Sequence, residues 1–408
     1  MKTPLISGAY EARSLIANCQ RCVNLYPESN PSDSPFPTTH YPTPGTVLLG
    51  TAPKSGYRAL YAASNNALYA VVADTLYQVS SAWGFAEVGS IGTSAGPVSM
   101  VDNGQTIVLV DGSPTGYTID LASNGFAPIV DDAFYGGDRI DIVDGFFVVN
   151  RPGTNQWYCS GPFSVNWDPL DFAGKTGAPD LLVTLAVAKR YVFLFGQQTT
   201  EVWYDAGNTD FTFSRMPGAF IQHGCAAKSS IAVMDGSVYW LAQDPQGHAI
   251  IMHTVNFDGL RISTHAIESE MQGYARIDDA VGYTYQQGGH LFYVLTFPTA
   301  DKTWVFDLAT AQWHEMLWTD SQGKYHRHRS SCFAFFNNTW VVGDWQNANL
   351  YSLDADTTTD DGAPIVRLRS FPHLIGDGNR IMYREFIADM QVGDTPTDDD
   401  PLLSLRWR

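Results

Sequence analysis

One pattern recurs seven times in this chain and constrains its fold more than any other feature: a two-residue turn held between two short apolar runs. "ALYAASNNALYAVVADTLYQV" turns at Asn65-Asn66, and "PVSMVDNGQTIVLVDG" turns at Asn103-Gly104. "RIDIVDGFFVVNRPGTNQWYCSG" and "SSIAVMDGSVYWLAQ" turn at Asp144-Gly145 and Asp235-Gly236. "GYTYQQGGHLFYVLTF" and "CFAFFNNTWVVGDW" turn at Gly288-Gly289 and Asn337-Asn338. Such pairs suit the tight type I′ hairpin, because both central residues need positive φ and Gly, Asn and Asp reach it most easily. The remaining unit, "LLVTLAVAKRYVFLFG", turns at Lys189-Arg190 and has neither Gly nor Asn at the turn.

The first residues of these turns lie 38, 41, 45, 46, 53 and 49 residues apart. A period of roughly 40–50 residues is the length of a four-stranded propeller blade. After each hairpin comes a third strand that often ends in an aromatic followed by an acid or small residue, as in "TLYQV", "QWYCSG", "EVWYDAG" and "NLYSLD". A fourth, more variable strand follows, such as "FTFSRM" or "QWHEM". The expected fold is all-β: a β-propeller of seven four-stranded blades over residues 56–372. A sandwich or a β-helix fits worse, since neither calls for seven evenly spaced hairpins. In "EVWYDAG", Trp203 and Tyr204 should fall on opposite strand faces, each against one neighbouring blade.

Two flanks fall outside the repeat. Residues 1–55 hold "LYPESNPSDSPFPTTHYPTPG", whose six prolines are incompatible with a central strand, so an extended Pro-rich N-terminal arm is expected. Helical periodicity is confined to "AYEARSLIANCQRCVNLY", which is equally readable as extended chain. Residues 373–408 carry two strand-like runs, "NRIMYREFIADMQVG" and "LLSLRWR", and are expected to form a short C-terminal strand extension.

Aromatic residues make up 13% of the 408, beside 36 Gly and 22 Pro, a balance that favours strands and turns. Charged residues make up only 16%, which suits a surface partly buried in an assembly. The 24 basic and 42 acidic residues give a net charge of −18. Counterion release needs clustered Lys and Arg, so sequence-independent affinity for nucleic acid is not expected. An acidic wall could instead keep a duplex from sticking. The five cysteines, at 19, 22, 159, 225 and 332, are too scattered for a disulfide framework, and the single CxxC at Cys19–Cys22 lacks the second half of a zinc site. No apolar run approaches 18 residues, and Glu11 and Arg13 interrupt any apolar leader core, so neither a helical membrane span nor a signal peptide is expected.

Catalytic motifs fail one by one. Phosphate loops, GxSxG and HExxH are missing from the sequence, and "HEMLW" at His314 lacks a second histidine. His326 and His328 share one side of an extended strand, but no third zinc ligand is local. "DADTTTDDG" from Asp354 has Thr358 and Thr359 where a calcium loop wants an oxygen-rich side chain and Gly, so an inter-strand loop is expected. "VDNGQTI" at Asp102 has the core of an Asp-box hairpin, a structural motif. Glu201, Glu268 and Glu270 are the acids a propeller glycosidase would need in pairs, with nothing to fix them together. His223 and Cys225 resemble a base and nucleophile by proximity alone. With Gly224 between them, the stretch reads better as a tight inter-blade crossing. No catalytic, cofactor-binding or metal-binding residue is assigned, and no cofactor is expected.

"RCVNLYPE" at 21–28, "NWDPLDFAG" at 166–174 and "TTEVWYDAGNTDFTFSRMPGAFIQHGCAAKSSIA" at 199–232 resemble the packaged-DNA stabilisation proteins of short-tailed bacteriophages. These are tail hub or nozzle components. The resemblance covers most of the chain and implies a β-propeller virion subunit that forms a homohexameric ring beneath the portal. It implies as partners copies of itself, portal or adaptor proteins, and tail fibre, tailspike or needle proteins. Double-stranded DNA would pass without sequence-specific binding, held until genome ejection. The implied location is the virion tail, after synthesis in the host bacterial cytoplasm, and the family offers no active-site residues to carry over. The competing reading is a propeller that binds or cleaves glycans through exposed Trp and Tyr at its mouth.

Overall fold

The computed structural model describes residues 9–14, 18–244, 246–371, 382, 385–390 and 403–406. Each of the seven turn pairs joins the first two strands, antiparallel to each other, of a separate sheet, so the chain is a seven-bladed β-propeller. Blades 1 to 6 span 57–90, 99–128, 140–174, 182–221, 232–261 and 281–315. Blade 7 takes its first three strands, Ser330–Phe336, Thr339–Asp344 and Asn349–Asp354, from the end of the repeat. Contacts between first hairpins run from blade to blade and return from blade 7 to blade 1, closing a ring.

The fourth strand of blade 7 comes from the other end of the chain. Gly45–Thr51 pairs antiparallel with Asn349–Asp354, from Gly45 opposite Asp354 to Thr51 opposite Asn349. The boundary expected at residue 55 therefore cuts a strand from its sheet. The dense run of prolines ends at Pro44, and "GTVLLGT", a competent strand, follows it immediately. Glu11 bridges Cys19, and Cys22–Val23 and Leu25–Ser29 are strands, so the described residues of the helix-like N-terminal stretch are largely extended. One α-helix is present among the described residues, His265–Met271, lying between blades 5 and 6 and burying Ile267 and Met271.

The two-residue alternation of each strand builds a core on both of its faces. In the second strand of blade 1, Leu68, Ala70 and Val72 face blade 7, whereas Tyr69 and Val71 face blade 2. The same arrangement repeats around the ring. Between blades 3 and 4, Trp157 meets Trp203 edge-on at 5.6 Å. Trp203 thus packs where alternation predicts. Tyr204 lies half-exposed beyond the core shared with blade 5, where Val202 takes the inward place.

The hairpin turns carry the expected left-handed backbone. Asp144-Gly145, Lys189-Arg190, Asp235-Gly236, Gly288-Gly289 and Asn337-Asn338 all have positive φ at both positions. The turns at 65 and 103 are looser, with positive φ at Asn66 and Gly104 only. Residues 373–408 form a separate unit from 1–372. Its described residues, 382, 385–390 and 403–406, are exposed and carry no strand; the rest of the expected strand extension lies outside the described residues.

Candidate functional site

The acids that might have formed a hydrolytic pair serve separate structural ends. Glu201 is fully buried on the third strand of blade 4, accepting from the Gly177 amide and, at 3.0 Å, from the Trp203 indole. Glu268 lies in the short helix, gripped by the Arg261 guanidinium and by Ser263 at 2.5 Å. Glu270 faces Lys302 at 3.3 Å. Asp102 accepts from Tyr61 at 2.8 Å and from the Gly104 amide at 2.8 Å, tying the turns of blades 1 and 2 together.

The histidines and cysteines separate in the same way. Cys225 is buried with its thiol donating to the Ala227 carbonyl, and burial pushes its pKa up to about 12, far from a thiolate at neutral pH. Between it and His223, Gly224 crosses the backbone of blade 4: a β-carbon there would come within 2.2 Å of the Gly196 carbonyl oxygen. His326 is held by Asp301 at 2.8 Å and Asp320 at 3.3 Å. His328 is buried, 2.8 Å from the Ser330 hydroxyl, with its pKa lowered to about 4 by that burial. The two histidines lie on and just after a small hairpin, Leu317–Thr319 with Tyr325–Arg327, in which Leu317 and Trp318 are buried. In the acidic loop, Asp354 accepts from Thr357 at 2.6 Å, Asp360 meets Thr46 and Arg329, and Asp361 accepts from Tyr351. No cluster of three His, Cys, Asp or Glu side chains fit to hold a metal occurs among the described residues.

The feature with the most organised geometry is the N-terminal segment. Cys22–Val23 runs parallel to the outer strand of blade 6 and antiparallel to Leu368–Arg369, so both flanks of the repeat extend one sheet. Arg21 forks onto Glu315 at 2.7 and 2.8 Å. Asn24, with φ of 52°, reverses the chain, and its side chain bonds Leu317 on both sides. The hairpin Leu25–Ser29 with Thr38–Pro42 then lies over blade 6. Tyr26 is its anchor, packed at 5.1 Å against both His290 and Phe292. Beneath it His314 is buried edge-on to Phe292, with no hydrogen bond at either ring nitrogen. Burial, with smaller contributions from His290 and His40, lowers its pKa to about 3, so it is neutral at physiological pH.

A second feature sits at the propeller axis. Asp138 and Arg139 precede the first strand of blade 3, yet Lys228 and Ile231, which bind them, precede that of blade 5. Lys228 pairs with Asp138, and Arg139 donates to the Ile231 carbonyl at 3.1 Å. These links bypass blade 4 and span the inner edge of the ring. Asp141, beside them, accepts from the Val187 amide of blade 4 at 2.8 Å. Burial among the inner strands lowers the Arg139 pKa and raises that of Asp141, each partly offset by the other's charge. A gap that one arginine side chain crosses is far narrower than a DNA duplex. Sequence reasoning passed over this cluster, although "GDRIDIV" sets three charges, Asp138, Arg139 and Asp141, at the start of an otherwise apolar inner strand.

Together these features describe a structural propeller: a closed ring of blades whose polar residues knit the scaffold and whose terminal segment completes two sheets and carries a projecting hairpin. The family described as "Bacteriophage P22 Gp10, beta-propeller" matches residues 1–358, and the chain belongs to it. It is accordingly a structural protein of a bacteriophage tail rather than an enzyme. No curated protein matches the sequence. Among solved structures, the computationally designed Ika8 protein is similar at 12% identity and a TM-score of 0.47, covering 75% of this chain and 99% of its own. Among the described residues no helix is long and apolar enough to cross a membrane.

Proposed function

We propose that this chain is a subunit of a sixfold tail hub, a ring beneath the portal that extends the DNA exit channel and retains packaged DNA. It would also present attachment surfaces to fibre, spike or needle proteins. Membership of the tail family carries this reading. The axial links between blades 3 and 5 refine it: DNA passes through the hole enclosed by several copies, and each propeller forms part of the wall. The mechanism is steric and electrostatic. A net charge of −18 suits a wall along which a polyanion must slide without binding. Electron microscopy of particles containing the chain tests the proposal. Six propellers around the tail axis, with duplex density between them, are expected; particles in which the chain is not in the tail, or stands there as single isolated copies, would overturn it.

A further inference from the structure

The hairpin and the blade turns beside it form two halves of a contact. Tyr26 lies level with Phe292, and Glu28 reaches His290, next to the Gly288-Gly289 turn of blade 6. The hairpin therefore climbs past that turn, and its tip, Asn30 to Pro37, stands clear of it. The tip is built to hold a shape. The Asn30 amide donates to the Pro37 carbonyl at 3.0 Å, and the Asn30 side chain donates to the Phe36 carbonyl at 3.0 Å and to Thr39 at 2.8 Å. Ser34 closes an inner turn on Pro31 at 3.0 Å, and Pro31, Pro35 and Pro37 restrict the remaining backbone. The one large apolar side chain of the tip, Phe36, is 43% exposed. A rigid loop that holds an aromatic ring in solvent loses little entropy on docking.

Between the turns of blades 6 and 7 lies a cleft of about 430 Å³ lined by Gln286, Gln287, Gly288, Gly289, Phe335 and Trp340. Phe335 is 48% exposed, and its ring lies 4.7 Å from that of Trp340 at 52°. None of the lining residues is charged, and the two glycines leave the walls without side chains. Aromatic grooves flanked by amide donors suit extended proline-containing segments. No residue of the chain's own tip lines the cleft.

We infer that the Phe36 tip of one copy docks in the Phe335–Trp340 cleft of the next. Knob and hole are different patches of one chain: used head-to-tail they propagate around a ring, whereas reciprocal exchange would stop at a dimer. The inference rests on the ring proposed above and names the contact that closes it.

Two measurements test it. In particles assembled with the full chain carrying Phe36→Cys and Phe335→Cys together, mild oxidation should give a ladder of cross-linked multimers on a non-reducing gel. Either substitution alone should give none beyond the background of the native cysteines. Separately, a peptide spanning Ser29 to Thr38 should quench Trp fluorescence of the isolated full chain, with roughly tenfold weaker binding after Phe36→Ala in the peptide or Trp340→Ala in the protein. Six subunits around the tail axis with no ladder and no peptide binding would overturn the clasp and leave the hub standing. Particles without the chain in the tail would remove the hub itself. A neutral oligosaccharide that competes with or replaces the peptide in the cleft would also overturn the clasp, by showing a sugar site instead.

Discussion

Lys189 and Arg190 hold left-handed backbone, with φ of 49° and 66°, at a turn where the other blades use Gly, Asn or Asp. Left-handed conformation costs roughly 1–2 kcal/mol for a residue bearing a β-carbon. The side chains find partners across blade boundaries: Arg190 reaches Asp144 at 2.8 Å, and the Lys189 stem lies over Gly236. Replacing the pair by Asn-Gly should relieve backbone strain by about 1 kcal/mol and raise the thermal midpoint, because the Arg190 ion pair is exposed and weak. A lower midpoint would mean that the inter-blade contacts outweigh the strain. His314 makes a pH prediction. Its folded pKa of about 3 lies below the ordinary histidine value of about 6.5, so the unfolded chain takes up the proton first. Stability is then complete above about pH 6.5 and falls as pH drops toward 3, with buried His328, at about 4, acting in the same direction. Facing His314 are Tyr26, Phe292, His290 and His40, with Asp307 and Glu28 behind His290. His314→Phe should shrink the drop in urea midpoint between pH 7 and pH 4.5. An undiminished drop would assign the acid sensitivity to other groups.

At the scale of elements, Gly45–Thr51 closes the ring: it joins the two ends of the repeat in the sheet of blade 7. A propeller missing that strand exposes the edge of Asn349–Asp354 and loses the pairing that opposes opening of the ring. Asp360, one residue before the chain turns away, ties the same strand to Arg329 through Thr46. Deleting residues 1–55 should therefore leave an aggregation-prone chain with a non-cooperative melt. Replacing only Asn30 to Pro37 by a tight turn should leave the melt unchanged, because none of those residues is buried and most are exposed. Calorimetry of the two variants side by side separates the roles. A fully folded 1–55 deletion would show that the closing strand is dispensable.

For the whole molecule, charge and the narrow inner rim point the same way. With −18 overall and an inner rim narrow enough for Arg139 and Lys228 to link blades 3 and 5, a single propeller neither attracts a duplex nor admits one. The anisotropy of a labelled duplex should stay flat as salt is lowered in the presence of the isolated chain. A rise that salt reverses would reveal a basic face masked by the net charge.

Blade number and hairpin positions were legible in the residues, because turn chemistry and two-residue alternation are local properties. Trp203 could be assigned to a blade interface from alternation alone. Only the tertiary structure decided where the N-terminal segment belongs, that charges before blades 3 and 5 meet at the axis, and that an aromatic cleft opens beside a rigid proline-rich tip. Pairs such as Gly45 with Asp354 and Asp138 with Lys228 are far apart in sequence. What brings them together is closure of a ring, and no local preference encodes that.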